Sequence, residues 1–98
     1  MTTPIINGSD AADTIAVTTG NNTINAGGGA NTITATSGNN IITTGDGVDT
    51  ITVTSGNNTI DAGGGANTVT ATSGKNTITT GAGIDTITLG EGGNTINA

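Results

Sequence analysis

Branched apolar residues recur along the chain every nine residues, from Ile6 near its start to Ile96 near its end. From Gly20 onward the same spacing carries a glycine, and an asparagine or aspartate follows two residues after each glycine. On a larger scale, residues 53–88 repeat residues 17–52 with only conservative changes. A regular period this short is typical of a solenoid, in which each repeat contacts only its neighbours.

Each nine-residue unit predicts a turn followed by a short strand. Glycine permits a positive φ, the Asn or Asp side chain bonds the amides of the turn, and Thr-Ile-Thr favours an extended backbone. Side chains alternate across a strand, so an inward branched column places the residue two positions later inward as well. This second column is Val17, Ala26, Ala35, Thr44, Val53, Ala62, Ala71, Thr80 and Leu89. Such a core is thin, and backbone ladders, stacked turns, a metal or association must add to its stability.

Four units resemble the glycine-rich nonapeptide of RTX proteins, G-G-x-G-x-D-x-U-x, in which U is a large apolar residue. They are AGGGANTIT, TGDGVDTIT, AGGGANTVT and TGAGIDTIT, at residues 26–34, 44–52, 62–70 and 80–88. The resemblance runs from about Gly8 to Asn97. Two departures are systematic: the first glycine is mostly Ala, Val or Thr, and the aspartate is mostly Asn.

The resemblance implies an all-β fold, a parallel β-roll or β-solenoid of about five coils with two nonapeptides per coil and two parallel sheets. We expect residues 1–7 to form a lead-in partial coil and residues 8–98 a single β-roll repeat domain. Proteins of that family are secreted toxins, enzymes and adhesins, so the resemblance also implies an extracellular or cell-surface location. No signal peptide is recognisable in this sequence.

Composition excludes several classes of function. The chain has no Cys, His or aromatic residue, which excludes thiol and imidazole chemistry and the usual zinc sites. A single Lys and a net charge of −6 argue against a nucleic-acid partner, whose phosphates need a basic face. No apolar run is long enough to span a membrane, so we expect no membrane insertion. No base accompanies a nucleophile, so we do not expect an enzyme.

Five aspartates are the candidate calcium ligands. They are Asp10, Asp13, Asp46, Asp49 and Asp85. Calcium takes six to eight oxygens, several of them anionic, but Asp alternates with Asn along this turn edge, so an ion between coils would meet about one carboxylate of the column. The other turn edge carries only Asn, which predicts a ladder of amides without a metal. We therefore expect no required cofactor, with calcium optional.

Outward threonines form a second candidate site. They are Thr32, Thr34, Thr36, Thr50, Thr52, Thr54, Thr68, Thr70 and Thr72. On a parallel sheet they would form a grid spaced about 4.8 Å between strands and about 6.7 Å along them. Threonine grids on β-solenoids resemble those of ice-binding proteins. The simpler interpretation is that threonine is a good polar strand former.

The ends of the solenoid are the third candidate site. Solenoids normally carry polar caps, and a bare end invites pairing, yet neither terminus shows an amphipathic helix or charged cap. With Ala98 at the first position of a unit and Met1 at the third, a following copy continues the repeat with one position skipped; Pro4 as a modest cap is the competing interpretation. The predicted assembly residues are Ile6, Ile15, Ile87 and Ile96.

The favoured hypothesis is a structural protein that stacks head to tail with its own copies into extracellular filaments or biofilm matrix. The alternatives are a calcium-binding RTX-like module of a secreted adhesin or toxin, and an ice-binding protein that uses the threonine face.

Overall fold

Eleven short strands separated by glycine-containing turns make up the regular structure of residues 4–98, the residues that the computed structural model describes. The strands are β1 (Ile5–Asn7), β2 (Thr14–Val17), β3 (Thr23–Gly27), β4 (Thr32–Ala35), β5 (Ile41–Thr44), β6 (Thr50–Val53), β7 (Thr59–Asp61), β8 (Thr68–Ser73), β9 (Thr77–Thr79), β10 (Thr86–Glu91) and β11 (Thr95–Asn97). Nothing in residues 4–98 forms a helix with the length and apolar character needed to span a membrane. The predicted junction between copies places Met1 at the third position of a unit, and Met1 lies outside the described residues.

Odd-numbered strands form a six-stranded sheet, here called sheet A, and even-numbered strands form a five-stranded sheet B. All neighbouring strands are parallel, and residues 18 positions apart face each other, as Ile24 faces Ile42 in sheet A and Ile33 faces Ile51 in sheet B. Two nonapeptides therefore make one coil, and eleven strands correspond to about five coils. The predicted all-β solenoid with two parallel sheets is confirmed. Pairing begins in the lead-in, where β1 pairs with β3.

The core lies between the two sheets as two columns of side chains. Ile33 and Ala35 are both 0% exposed, whereas Thr34 between them faces solvent. The same alternation holds in the central coils, so the prediction of one branched and one small inward residue per unit is confirmed. Thr44 takes an inward position and satisfies its hydroxyl by donating to the carbonyl oxygen of Ala62, at 2.9 Å.

Glycine is required where coils stack directly on one another at the turns. Gly38 has φ +94°, and a Cβ there would overlap the carbonyl oxygen of Gly20 in the preceding coil. Only a residue without a side chain permits both that conformation and that approach. The glycine at this position of the repeat thus fixes the turn and the spacing of the coils together.

Candidate functional site

Ten Asn or Asp side chains, one from the turn before each of β2 to β11, stack in two columns where the chain passes from one sheet to the other. The mixed column is Asp13, Asn31, Asp49, Asn67 and Asp85, and the asparagine column is Asn22, Asn40, Asn58, Asn76 and Asn94. These side chains are buried in the central coils, where Asn31 and Asn40 are each 1% exposed. Buried polar groups must find partners within the protein, and the columns show how they do so.

Each buried asparagine bonds in two directions. Oδ1 of Asn40 accepts from the backbone N–H of Asn22, one coil earlier, at 2.9 Å and from its Nδ2 at 3.0 Å. Nδ2 of Asn40 in turn donates to the carbonyl oxygens of Ser37 and Gly38 in its own turn, at 3.3 and 3.2 Å. Repetition of this pattern along the column makes a continuous amide ladder of protein atoms. The amide ladder predicted for the asparagine column is confirmed.

Asn31, in the mixed column, donates hydrogen bonds to the largest number of carbonyls in its own turn. Its Nδ2 donates to the carbonyl oxygens of Gly27, Gly28 and Gly29, at 3.0, 3.4 and 3.1 Å. Three backbone carbonyls therefore converge on one side-chain nitrogen. Asn67, two coils later, repeats the arrangement by donating to Gly63 at 3.2 Å and to Gly65 at 3.3 Å.

Asp49 interrupts this pattern between Asn31 and Asn67. Its Oδ1 accepts from the backbone N–H of Asn31 at 2.8 Å, and its own N–H donates to Oδ1 of Asn67 at 2.9 Å. The residue is 0% exposed, and its Oδ2 is buried without a hydrogen-bond partner among residues 4–98. By the 18-residue repeat, Oδ2 takes the position that Nδ2 takes in the two asparagines. A carboxylate oxygen there only accepts, so it cannot donate to the turn carbonyls and is left unsatisfied.

The remaining candidate calcium ligands are arranged differently. Asp13 is half-buried, and its Oδ2 accepts from the backbone N–H of Ser9 at 2.7 Å. Asp85 is half-buried and accepts from the backbone N–H of Asn67 at 2.9 Å. Asp10 and Asp46 are exposed, and within residues 4–98 no three acidic side chains come together as a metal cluster.

The structure therefore stacks three of the five predicted aspartates in one column, with asparagines between them, and leaves Asp10 and Asp46 outside it. An ion in this column would take most of its oxygens from backbone carbonyls. The unsatisfied Oδ2 of Asp49 fits a divalent cation, because calcium prefers carboxylate and carbonyl oxygens. The asparagine turns do not fit one, since Nδ2 already occupies the point on which the carbonyls converge.

The predicted threonine face lies on the outside of sheet B. Thr32 pairs with Thr50 and Thr34 with Thr52, and the two rows continue in register through β8 and β10. Seven of the nine threonines are exposed, whereas Thr52 and Thr70 are half-buried. The face therefore carries two rows of threonine in register, which extend along four successive strands.

The end coils leave the core open. Ile96 in β11 is 45% exposed, whereas Ile78, its partner in β9, is 0% exposed. Ile6, Ile15 and Ile87 are each half-buried and pack against the core. Among the strands of residues 4–98, β1 and β2 at one end, and β10 and β11 at the other, each pair with one neighbour only. The four predicted assembly residues thus all lie in the outermost strands.

Comparison with known proteins identifies one family. A family model described as RTX calcium-binding nonapeptide repeat (4 copies) matches residues 7–42, 43–78 and 70–98. Together these matches extend over nearly the whole chain. No curated protein and no solved structure matches the chain significantly.

Proposed function

Because the chain belongs to the family of RTX calcium-binding nonapeptide repeats, we propose that it is a structural module, without catalytic activity, whose copies stack end to end into extracellular filaments or matrix. Repeats of this family are structural and binding modules that typically belong to secreted proteins. The partner that we propose for this module is a second copy of the same roll.

The observation that carries the proposal is the open core of the end coils. Ile96 lies in register with Ile78 but is 45% exposed, because none of residues 4–98 forms a further coil over it. Within the part of the chain that the structure describes, each end also presents the unpaired edges of two strands, which favour pairing with another chain. Covering such an end with a further coil would bury apolar surface and complete backbone ladders at the same time.

A second copy is the occupant that fits these ends best. Every strand in the roll runs parallel to its neighbours, so the strands at one end continue the direction of those at the other. The contact between copies would then repeat the contact between successive coils within the chain. A parallel, head-to-tail stack is therefore a continuation of packing that already exists in the fold.

Electron microscopy of negatively stained protein in excess chelator tests the proposal. We expect long, thin filaments from the unmodified chain and monomers from Ile96→Lys, because a buried, unpaired charge at the junction is unfavourable. Thr34→Lys adds the same charge on an exposed position of β4, away from the ends, and should still form filaments. Folded but monomeric unmodified protein, or filaments from Ile96→Lys, would contradict the proposal.

Calcium is optional for this function. Support comes from the amide ladder, in which the turn carbonyls already bond to side-chain nitrogens, as in Asn31 and Asn40. Filaments should therefore form in chelator as well as in calcium.

Ice binding is the second candidate function. It is favoured by the register of the threonine rows on sheet B, in which Thr34, Thr52 and Thr70 stand side by side. Thermal hysteresis of an ice-containing solution measures it. Activity that is lost in Thr52→Leu but kept in Thr59→Leu, on sheet A, would support it; absence of hysteresis in the unmodified chain would exclude it.

A further inference from the structure

The two kinds of residue in the mixed column differ at one atom. Asn31 and Asp49 both use Oδ1 to accept from the Asn or Asp one coil earlier, at 3.0 Å from the N–H of Asp13 and 2.8 Å from that of Asn31. The second atom is Nδ2 in asparagine, which donates, and Oδ2 in aspartate, which does not. Exchange of one residue for the other therefore keeps the ladder and changes only what faces the turn carbonyls.

That second atom stands where a cation would bind. The carbonyl oxygens of Gly27, Gly28 and Gly29 all lie within 3.4 Å of Nδ2 of Asn31. Carbonyl oxygens that converge in this way are ligands for calcium, which holds them at about 2.3–2.6 Å. The neutral NH₂ group of asparagine presents hydrogens to the same oxygens. An ion therefore cannot bind where this group lies.

We infer that the side-chain amide of asparagine replaces the bound cation in seven of the ten turns, which leaves the Asp49 turn as the one fully buried position that takes a divalent cation. All seven asparagines of the two columns donate Nδ2 to a carbonyl of their own turn. The bonds run from Asn22, Asn31, Asn40, Asn58, Asn67, Asn76 and Asn94. This family's metal is thus replaced by covalently attached groups in most of the roll.

Asp49 differs from the other two aspartates of the column in its burial. Asp49 is 0% exposed, and its Oδ2 has no hydrogen-bond partner in the described part of the chain. By the 18-residue repeat, the carbonyls equivalent to those around Asn31 belong to Gly45, Asp46 and Gly47. Asp13 and Asp85 lie in the outer coils and are half-buried, so water reaches them. Burial excludes water from Asp49, and a cation is what satisfies both its carboxylate and the carbonyls.

The inference does not depend on end-to-end assembly, and its test removes assembly by using Ile96→Lys as the background for every variant. Thermal unfolding is followed in EDTA and in calcium chloride, and calorimetric titration with calcium chloride gives the stoichiometry. We expect a higher midpoint in calcium for the background chain, with one calcium per chain. Asp49→Asn should raise the midpoint in EDTA and abolish the response to calcium.

The reverse exchange is the stricter test. Asn67→Asp creates a second oxygen facing turn carbonyls, so it should lower the midpoint in EDTA, increase the rise in calcium and give two calcium ions per chain. Asn57→Asp adds the same charge at an exposed position and should leave the calcium response unchanged. The inference is overturned if the background chain ignores calcium, if Asp49→Asn keeps the response, or if Asn67→Asp gains none.

Discussion

The backbone N–H of Asn31 donates to Oδ1 of Asp49 at 2.8 Å, while Oδ2 of the same carboxylate is buried and finds no hydrogen-bond partner within residues 4–98. This pair shows both functions of the column in one place. One atom ties successive coils together, and the other determines whether a turn is satisfied by the protein itself. In most turns of the roll that second group is a side-chain amide, so the protein's own side chains stabilise the turns.

Loss of one buried amide should be costly. Asn40→Ala leaves the N–H of Asn22 and the carbonyls of Ser37 and Gly38 without this partner, so we expect a loss of roughly 3 kcal/mol, since each unsatisfied buried group costs about 1–3 kcal/mol. The free energy of unfolding in urea measures it. Asn39→Ala is the matched control: Asn39 is exposed, water can replace its bonds, and its loss should stay below about 1 kcal/mol. Equal losses would contradict the role of the buried ladder.

Two turn glycines should differ in their response to alanine. Gly38→Ala forces a side chain into a backbone with φ +94° and against the carbonyl of Gly20. The conformation alone costs about 1–2 kcal/mol, and the overlap adds to it. Gly28→Ala meets no atom nearer than 3.9 Å and should change stability by less than about 1 kcal/mol. Thermal midpoints of the two variants decide this, and a tolerated Gly38→Ala would contradict the described turn.

The branched column should account for a large share of the stability. Ile51 is 0% exposed, so Ile51→Ala should cost about 2–5 kcal/mol through lost burial and the cavity it leaves. Ile84→Ala removes the same atoms from a side chain that is 87% exposed, and should stay within about 0.5 kcal/mol. Urea unfolding compares them. A large effect at Ile84 with none at Ile51 would contradict the placement of Ile51 in the core and of Ile84 on the surface.

Salt should promote end-to-end assembly. The chain has a net charge of −6, so copies repel one another. The screening length falls from about 30 Å at 0.01 M to about 8 Å at 0.15 M ionic strength. We expect light scattering to rise faster at the higher salt concentration. Slower assembly on adding salt would mean that attraction between opposite charges, and not the apolar ends, holds the copies together.

Much of the fold follows from the nine-residue period. The spacing of Ile24, Ile33 and Ile42 predicts which residues face inward, and the glycines nine residues apart predict the turns, where the structure shows positive φ. Both rest on local preference and alternation, which a sequence displays directly.

The candidate site follows less fully from the sequence, because hydrogen-bond direction depends on positions in space. The N–H of Asn22 donates to Asn40 of the next coil, whereas the N–H of Asn39 donates to Asn21 of the preceding one. Both appear in the sequence as asparagines 18 residues apart. Likewise, only the structure shows that Ser9 already bonds the carboxylate of Asp13. The run of glycines before Asn31 is the one sequence signal for turn carbonyls that converge on a single point.

Thermal unfolding in excess EDTA, followed by far-ultraviolet circular dichroism, shows whether side-chain amides hold the roll together without a metal. We expect a β-sheet spectrum at room temperature in EDTA and a cooperative transition on heating, with calcium raising the midpoint only modestly. A disordered spectrum in EDTA that becomes a β-sheet spectrum on adding calcium chloride would contradict this expectation.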